Sequence, residues 1–371
     1  MIFRTFSAAF LCAAALVAGA GSALAAPLRA DQILERFRNA NDWRDHVMVV
    51  AHRGAAFEGG VEVVAENSLA SLNRAVELGV DMVEIDVRRT LDGVFVVSHD
   101  DTLDRATNCT GAVADTSFAA ISGCKLLSGP DRVETAETVP TLAQFLTAAK
   151  GQVMINLDNK VGADSIRDIY DVAESVGMTD YVVTTIAANS PAQLDTALEV
   201  QAELGTGVQL MPNVRDDLIS GHDHLAAIYD TLGFDVIQGR DTYRGGALTS
   251  DGGVLFNQDA LDLATAHNVH LWVNTLSFPE EPDMRAGGRG DHRAFILGDL
   301  DGSFGFWAGL GVTMMQTDEP DLLIGYLDAM GRRVAYAAAP IPAPVPLPAA
   351  GWALLAAMGG LAALRRRSTA A

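Results

Sequence analysis

The stretch that decides the fold spans residues 47–100 and begins VMVVAHRG at 47–54. Its apolar run is of strand type and ends directly on His52-Arg53-Gly54. Glu66-Asn67-Ser68 then opens a segment with the apolar spacing of a helix. A second apolar run, VDMVEIDV at 80–87, follows this helix. The order strand, helix, strand predicts an α/β unit with polar side chains where the strands end.

The second apolar run carries two carboxylates, Glu84 and Asp86. Residues two apart on a strand point to the same face of the sheet. Two carboxylates on one face of an otherwise apolar strand repel each other unless a cation lies between them. After a tight turn at Asp92-Gly93, a short run leads to His99-Asp100. The stretch therefore predicts a cation site with a histidine on either side, His52 and His99.

Nine strand-like runs can be counted along the chain, and helical segments separate most of them. The second and third are joined only by residues 91–93, which is too short for a parallel crossover, so the third must be the return arm of a hairpin. Eight strand–helix units over about 280 residues predict a (β/α)8 TIM barrel, with a hairpin after strand 2 and a small insertion before strand 3. The runs are 47–51, 82–87, 94–98, 153–157, 181–186, 207–211, 234–238, 270–274 and 312–316.

The charge balance excludes one class of partner. The chain of 371 residues has 47 acidic and 26 basic residues, a formal net charge of −21. Such a surface repels nucleic acid, so we expect no nucleic-acid partner. The apolar fraction of 49% is ample for a core.

Both ends of the chain differ from its middle. Residues 1–25 have the pattern of a secretory signal peptide, with a transmembrane helix as the alternative. We expect the barrel at 26–333, an Ala/Pro linker at 334–346, and an apolar C-terminal segment at 347–371 that contains three consecutive arginines. The arginines should stay cytoplasmic, with the barrel outside. Export would leave two cysteines, Cys109 and Cys124, as a disulfide or as two buried thiols.

The motifs resemble those of the glycerophosphodiester phosphodiesterase family, with a phosphatidylinositol-phosphodiesterase-like TIM barrel. This resemblance implies the same barrel as the strand count. The family most often has Glu-x-Lys where this chain has Asp158-Asn159-Lys160. The matching stretches are HRG at 52–54, ENS at 66–68, EID at 84–86, DG at 92–93 and HD at 99–100, with weaker matches DNK at 158–160, WVN at 272–274 and TDEP at 317–320.

The resemblance also implies roles for individual residues. His52 and His99 would transfer protons, although the sequence does not say which is acid and which is base. Oxygen ligands suit Mg²⁺ or Ca²⁺ rather than zinc, and the metal ligands would be Glu84, Asp86 and Asp158. The phosphate oxygens would be bound by Arg53 and Lys160.

Three further residues are candidates for the substrate pocket. Trp272 would offer an apolar wall, or it is a core tryptophan. Asn67 would support the site by hydrogen bonding, or it caps a helix. Asn274 follows Trp272 at the end of the same predicted strand, where the chemistry of such barrels is found.

The resemblance implies metal-dependent hydrolysis of glycerophosphodiesters, a class of small lipid-derived molecules, to an alcohol and glycerol 3-phosphate. One alternative is a sphingomyelinase D-like phospholipase that forms cyclic phosphates. The other is a non-catalytic surface protein anchored to the membrane. Retention of both histidines, the three carboxylates and Lys160 argues against this last reading.

The C-terminal segment has a resemblance of its own. VPLPAAGW at 345–352, an apolar stretch and Arg365-Arg366-Arg367 are similar to sorting signals handled by exosortase-type proteases in Gram-negative bacteria. This similarity implies a protein of the periplasm or cell surface, first held in the membrane by its C-terminal helix and then processed. A plain C-terminal anchor is the alternative.

Overall fold

The computed structural model describes residues 27–205, 207–242, 247–276 and 286–337. Eight parallel strands, each paired with the next in sequence, form a barrel that closes by pairing of the first strand with the last. The TIM barrel predicted from the strand count is confirmed. The strands are β1 Met48–Ala51, β2 Met82–Arg89, β3 Met154–Asn159, β4 Val182–Ala187, β5 Leu210–Arg215, β6 Val236–Arg240, β7 His270–Asn274 and β8 Met314–Thr317.

Helices surround the barrel, and one more helix covers its N-terminal end. That helix, Arg29–Arg38, places Ile33 and Phe37 against the residues inside the lower barrel. Between β7 and β8, the described residues 286–313 form irregular turns and the short helix Phe306–Gly309, with no long helix among them. The principal helices of the outer ring are Leu69–Leu78, Leu142–Ala149, Ile166–Ser175, Pro191–Leu204, His222–Thr231, Gln258–Ala266 and Pro320–Ala329.

The predicted hairpin follows β2. Phe95–Val97 runs antiparallel to the end of β2, with Val87 opposite Val97 and Arg89 opposite Phe95. This arm brings His99 back towards the mouth of the barrel. The largest difference in a strand boundary is at the run 207–211, which becomes a strand at Leu210–Arg215. The prediction stopped before Pro212, whereas the barrel tolerates that proline within the strand.

The predicted insertion lies between the hairpin and β3. It contains the short helix Phe118–Ile121 and a two-stranded antiparallel sheet, Lys125–Ser128 with Val133–Thr138. Cys109 and Cys124 are joined by a disulfide, so the predicted bridge is confirmed and the alternative of two free thiols is not. Cys124 packs in a small apolar cluster that the insertion forms with Ala65 and with Val96 of the hairpin.

Side chains inside the barrel form layers because alternate residues of each strand point inward. The lowest layer is apolar, and the next inward positions, two residues further along, are mostly polar. The apolar layer contains Met48, Val50, Met82, Met154, Val183, Met211, Val236, Trp272 and Met314. The polar positions above it are His52, Glu84, Asn156, Thr185, Asn213, Gln238, Asn274 and Gln316.

The ends of the chain largely lie outside the described residues, including the predicted signal peptide at 1–25 and the segment at 347–371. Of the predicted linker, only 334–337 is described, and these residues contact the barrel: Arg36 Nη1 donates to the carbonyl of Val334 at 2.6 Å. Within the described ranges, no helix has the length and apolar character needed to cross a membrane.

Candidate active site

Three carboxylates meet at the C-terminal ends of β2 and β3. Asp86 and Asp158 are partners in the parallel ladder of these strands, and Glu84, Asp86 and Asp158 each offer an oxygen within 4.8 Å of the others. Burial, and then the neighbouring charge of Asp86, raise the pKa of Glu84 to about 8. A divalent cation would relieve this repulsion, and a set of oxygen donors alone fits a hard cation. The predicted metal ligands could therefore bind a metal.

The two predicted phosphate-binding cations contact this cluster. Lys160 Nζ lies 2.6 Å from Asp158 Oδ2 and 3.2 Å from Asp86 Oδ1. Burial opposes the charge on Lys160, but Asp86 and Asp158 outweigh it and raise the pKa of its ammonium. The backbone N–H of Arg53 donates to Glu84 at 3.0 Å, and its Nε lies 3.4 Å from Asp86 Oδ2. Arg53 adopts φ 49°, which turns the chain sharply at the end of β1.

His52 is buried at the end of β1. Its Nδ1 lies 2.7 Å from Asp318 Oδ1, and its Nε2 lies 3.9 Å from Glu84 Oε2. Burial opposes protonation of His52, but the carboxylates of Asp318 and Glu84 outweigh it and raise the pKa of the imidazole. This histidine is therefore held in orientation by a carboxylate and faces the predicted metal ligands.

His99 lines the same pocket and is more exposed than His52. Its Nδ1 lies 2.7 Å from Asp100 Oδ1, and Arg105 Nε donates to the other oxygen of Asp100 at 2.5 Å. Burial lowers the pKa of His99, with a further contribution from the charge of Arg53, although Asp86 opposes it. The two histidines thus have the same kind of partner and opposite pKa shifts.

Glu66 forms ion pairs with two arginines, Arg53 and Arg105. Arg53 Nη1 donates to both of its oxygens at 3.2 Å, and Arg105 Nη2 donates at 2.5 Å. Burial opposes ionisation of Glu66, but these arginines lower its pKa overall. The sequence analysis used Glu66 as part of a motif and gave it no role, and it did not identify Arg105. The signal for Glu66 was its position directly before Asn67, whereas nothing in the sequence indicated a role for Arg105.

Asp318 was predicted to lie at a strand end but was given no role, and Asp291 was not predicted. The backbone N–H of Asp318 donates to Asp291 Oδ2 at 2.8 Å. Asp291 Oδ1 accepts from the hydroxyls of Thr275 and Thr317 at 2.6 and 2.9 Å. The signal for Asp318 was its position in the TDEP motif at 317–320. Asp291 is fully buried and comes from a loop in which the sequence showed no pattern.

Asn67 lies where hydrogen bonding to the site was predicted. Its Nδ2 donates to Asp86 Oδ2 at 2.9 Å, and its Oδ1 accepts from the backbone N–H of Asp86 at 3.3 Å. The helix that follows is capped by Ser68 instead, whose hydroxyl accepts from the N–H of Ser71 at 3.0 Å. The alternative of a capping role for Asn67 is therefore not supported.

Of the two interpretations of Trp272, the core tryptophan agrees with the structure and the wall of the pocket does not. Trp272 is fully buried in the apolar layer, and its Nε1 donates to Asn274 Oδ1 at 2.7 Å. Asn274 is two residues further along β7 and does line the pocket. Both side chains point into the barrel, but Trp272 is one layer too deep to meet a substrate.

The pocket above these residues has a volume of about 590 Å³ and opens at the C-terminal end of the barrel, the usual place of catalysis in this fold. Besides the predicted groups, its described lining is dominated by amides and other polar side chains. These further lining residues are Asn156, Asn159, Thr185, Ala187, Asn213, Gln238, Arg240, Asn274, Leu276 and Gln316.

Comparison with known proteins agrees with this geometry. Residues 52–190 match the profile of the glycerophosphoryl diester phosphodiesterase family. A glycerophosphodiester phosphodiesterase of Caldanaerobacter subterraneus is 30% identical over 172 residues, 46% of this chain and 51% of that protein. Glycerophosphodiester phosphodiesterase 1 of Mus musculus is 32% identical over 139 residues, 34% of this chain and 39% of that protein. The chain thus spans about half the length of these curated relatives, or less.

Solved structures extend the likeness over most of the chain. A glycerophosphoryl diester phosphodiesterase from Parabacteroides distasonis has a TM-score of 0.58 at 19% identity, covering 85% of this chain and 97% of that one. A phosphodiesterase from Oleispira antarctica, solved in complex with the product sn-glycerol-3-phosphate, has a TM-score of 0.51 at 19% identity, covering 76% and 96%. At this identity the structures show the fold alone.

The protein is therefore an α/β TIM barrel with a cluster of carboxylates and histidines at its mouth. Within that class, residues 52–190, which supply most of this cluster, are similar to the glycerophosphoryl diester phosphodiesterase family.

Proposed function

We propose that the protein hydrolyses glycerophosphodiesters to an alcohol and glycerol 3-phosphate in a metal-dependent reaction. One observation carries the proposal: three clustered carboxylates line one pocket together with two histidines, each of which has a carboxylate partner of its own. Paired histidines suit proton transfer to and from oxygen, and clustered carboxylates suit a cation that offsets the charge of a phosphodiester. The names of the relatives support this choice of substrate.

Glu84, Asp86 and Asp158 would hold the metal, which we propose to be Mg²⁺ or Ca²⁺ because all of the donors are oxygens. When bound, the ion supplies positive charge that offsets the developing charge on phosphate oxygens. Arg53 and Lys160 border the same cluster, so they are placed to bind the non-bridging oxygens of the phosphate.

His52 and His99 would carry the protons. In each, Nδ1 faces a carboxylate, so Nε2 is the nitrogen left to exchange a proton with the substrate. One histidine would accept a proton from the water that attacks phosphorus, and the other would donate one to the alkoxide that departs as the P–O bond to the alcohol breaks. Asn67 positions Asp86, and Asn274 is placed to contact the substrate at the floor of the pocket.

The test is turnover of glycerophosphocholine, followed by phosphorus NMR, with and without a chelator. Release of glycerol 3-phosphate that stops on chelation is the expected result. A cyclic phosphate as the product would instead favour the sphingomyelinase D-like alternative, for which the Asp158-Asn159-Lys160 triplet is the supporting feature. Absence of any turnover with added Mg²⁺ or Ca²⁺ would contradict the proposal and leave the non-catalytic surface protein.

We also propose that the protein is exported to the periplasm or cell surface of a Gram-negative bacterium and is held at first by its C-terminal segment, 347–371. The sequence pattern of both ends supports this, and the Cys109–Cys124 disulfide suits an oxidising compartment. An exosortase-type protease would then cut near residue 350. Intact-mass measurement on the native protein tests this, and a dominant species that still ends at Ala371 would leave the plain anchor.

A further inference from the structure

The cationic side chains that line the pocket differ in whether they form ion pairs with carboxylates. Lys160 lies between two carboxylates, and Arg53 contacts Glu66 and Asp86. Arg240 also lines the pocket, but it forms no ion pair with a carboxylate in the described part of the chain. Its Nε, like that of Arg53, is buried without a hydrogen-bond partner among the same residues, so the missing ion pair is what distinguishes Arg240.

A partly buried guanidinium that lacks an ion pair and has an unpartnered Nε is energetically unfavourable. Removal from water costs free energy unless hydrogen bonds and opposite charge replace the hydration. Burial, and next the positive charge of Arg215, lower the pKa of Arg240, and the more weakly acting carboxylates of Asp158 and Asp217 do not offset them. Arg215 has a partner of its own, because its Nη2 lies 2.7 Å from Asp217 Oδ2. Because no described carboxylate forms an ion pair with Arg240, its guanidinium can bind an anion in the pocket.

The position of Arg240 separates it from the reacting phosphate. It ends β6, whereas Glu84 and Asp86 lie on β2, and four steps around an eight-stranded barrel lead to the opposite wall. The proposed phosphate site lies on the wall of β2 and β3, next to Arg53 and Lys160. An anion at Arg240 would therefore be a second group, on the other side of the same pocket.

The floor between the two walls is suited to hydroxyl groups. It is lined by the amides of Asn213, Gln238, Asn274 and Gln316. Gln238 Nε2 donates to Asn274 Oδ1 at 3.1 Å, and Asn213 Nδ2 donates to Gln238 Oε1. Amides can donate and accept, so this network can exchange its internal hydrogen bonds for bonds to a polyol. An acyl chain would find few apolar partners there.

We propose that Arg240 binds a second phosphate, carried by the polyol part of a glycerophosphodiester, and so makes the protein selective for substrates with two phosphates. This inference rests on the proposed function, because it assigns the reacting phosphate to the opposite wall. The guanidinium fork matches two phosphate oxygens, and such charge-assisted pairs are stronger than neutral hydrogen bonds.

The experiment compares glycerophosphoinositol with glycerophosphoinositol 4-phosphate, which differ by one phosphate group. The wild-type protein should show a kcat/KM about tenfold higher for the phosphorylated substrate, the scale of one charge-assisted contact. In Arg240→Gln the ratio should fall to about one, and Arg240→Lys should keep part of it because the charge remains. Arg215→Gln is the matched control, since it removes a nearby charge that does not line the pocket, and it should keep the full ratio.

A wild-type ratio of about one would overturn the proposal. So would an equal loss on both substrates in Arg240→Gln, because Arg240 would then act on the phosphodiester that they share. If neither compound is hydrolysed, the proposed function fails, and calorimetric binding of both compounds still tests Arg240. Tighter binding of the phosphorylated compound that is lost in Arg240→Gln would support the second site, and equal binding would refute it.

Discussion

His52 and Asp318 meet across the first and last strands of the barrel, with 2.7 Å between Nδ1 and Oδ1. They are 266 residues apart in sequence, and the pairing of β1 with β8 brings them together. The carboxylate fixes the orientation of the ring and stabilises its protonated form. Asp318 is in turn held by Asp291, which accepts from its backbone N–H. The pKa of His52 therefore depends on the pairing of β1 with β8 that closes the barrel.

We expect Asp318→Asn to shift the pH dependence of turnover. Asp318 helps to raise the pKa of His52 against the effect of burial. Loss of its charge makes the imidazolium less stable, so the pKa falls and the limb of the kcat/KM profile that reports His52 moves to lower pH. Asp321→Asn, on the exposed side of the following helix, is the control. An unchanged profile in Asp318→Asn would show that this carboxylate does not set the protonation of His52.

Removal of metal should abolish activity. We expect a chelator to stop turnover and added Mg²⁺ or Ca²⁺ to restore it. Asp86→Asn should lower kcat by ~100-fold or more, because loss of ligand charge weakens several kcal/mol of transition-state stabilisation. Asp195→Asn, on an exposed helix position, should keep full activity. Full turnover by Asp86→Asn in metal-free buffer would refute the metal assignment, and circular dichroism would show whether that variant is folded.

The two histidines should act in one reaction. Replacement of either His52 or His99 by Ala should lower kcat by ~100-fold, the usual scale for an acid–base group. If both serve the same step, the double variant should lose far less than the product of the two single losses. His267→Ala, on the outside of the barrel, serves as the control. Independent, multiplicative losses would indicate that the two histidines act in separate steps.

Much of the site could be predicted because strand periodicity fixes the face of each side chain. His52, Glu84 and Asp86 follow apolar inward positions at steps of two, and the sequence shows that spacing directly. Strand periodicity does not determine how deep in the barrel an inward-pointing side chain lies. Trp272 and Asn274 share the inward face of β7, and only the register with β8, where Trp272 lies opposite Met314, places the indole in the apolar layer.

The remaining site residues depend on contacts that no local pattern carries. Asp291 reaches the site from a loop of irregular turns, and its partners Thr275 and Thr317 lie at the ends of two different strands. Arg240 ends a strand whose predicted boundary, 238, stopped two residues short of it. In both cases the missing information was the packing of distant segments, which the sequence specifies only through the complete fold.

The disulfide should stabilise the insertion between the hairpin and β3. Cys109 and Cys124 are separated by 15 residues, and a bridge that closes such a loop contributes roughly 3 kcal/mol through the entropy of the unfolded chain. We therefore expect Cys109→Ser with Cys124→Ser to lower the urea midpoint of unfolding. A reducing agent should lower the midpoint of the wild-type protein by the same amount and leave the double variant unchanged. Most of the insertion's apolar side chains pack in a small cluster separate from the barrel core, so a probe placed in the insertion should report the change first. Equal midpoints for oxidised and reduced wild-type protein would show that the bridge adds no stability to this fold.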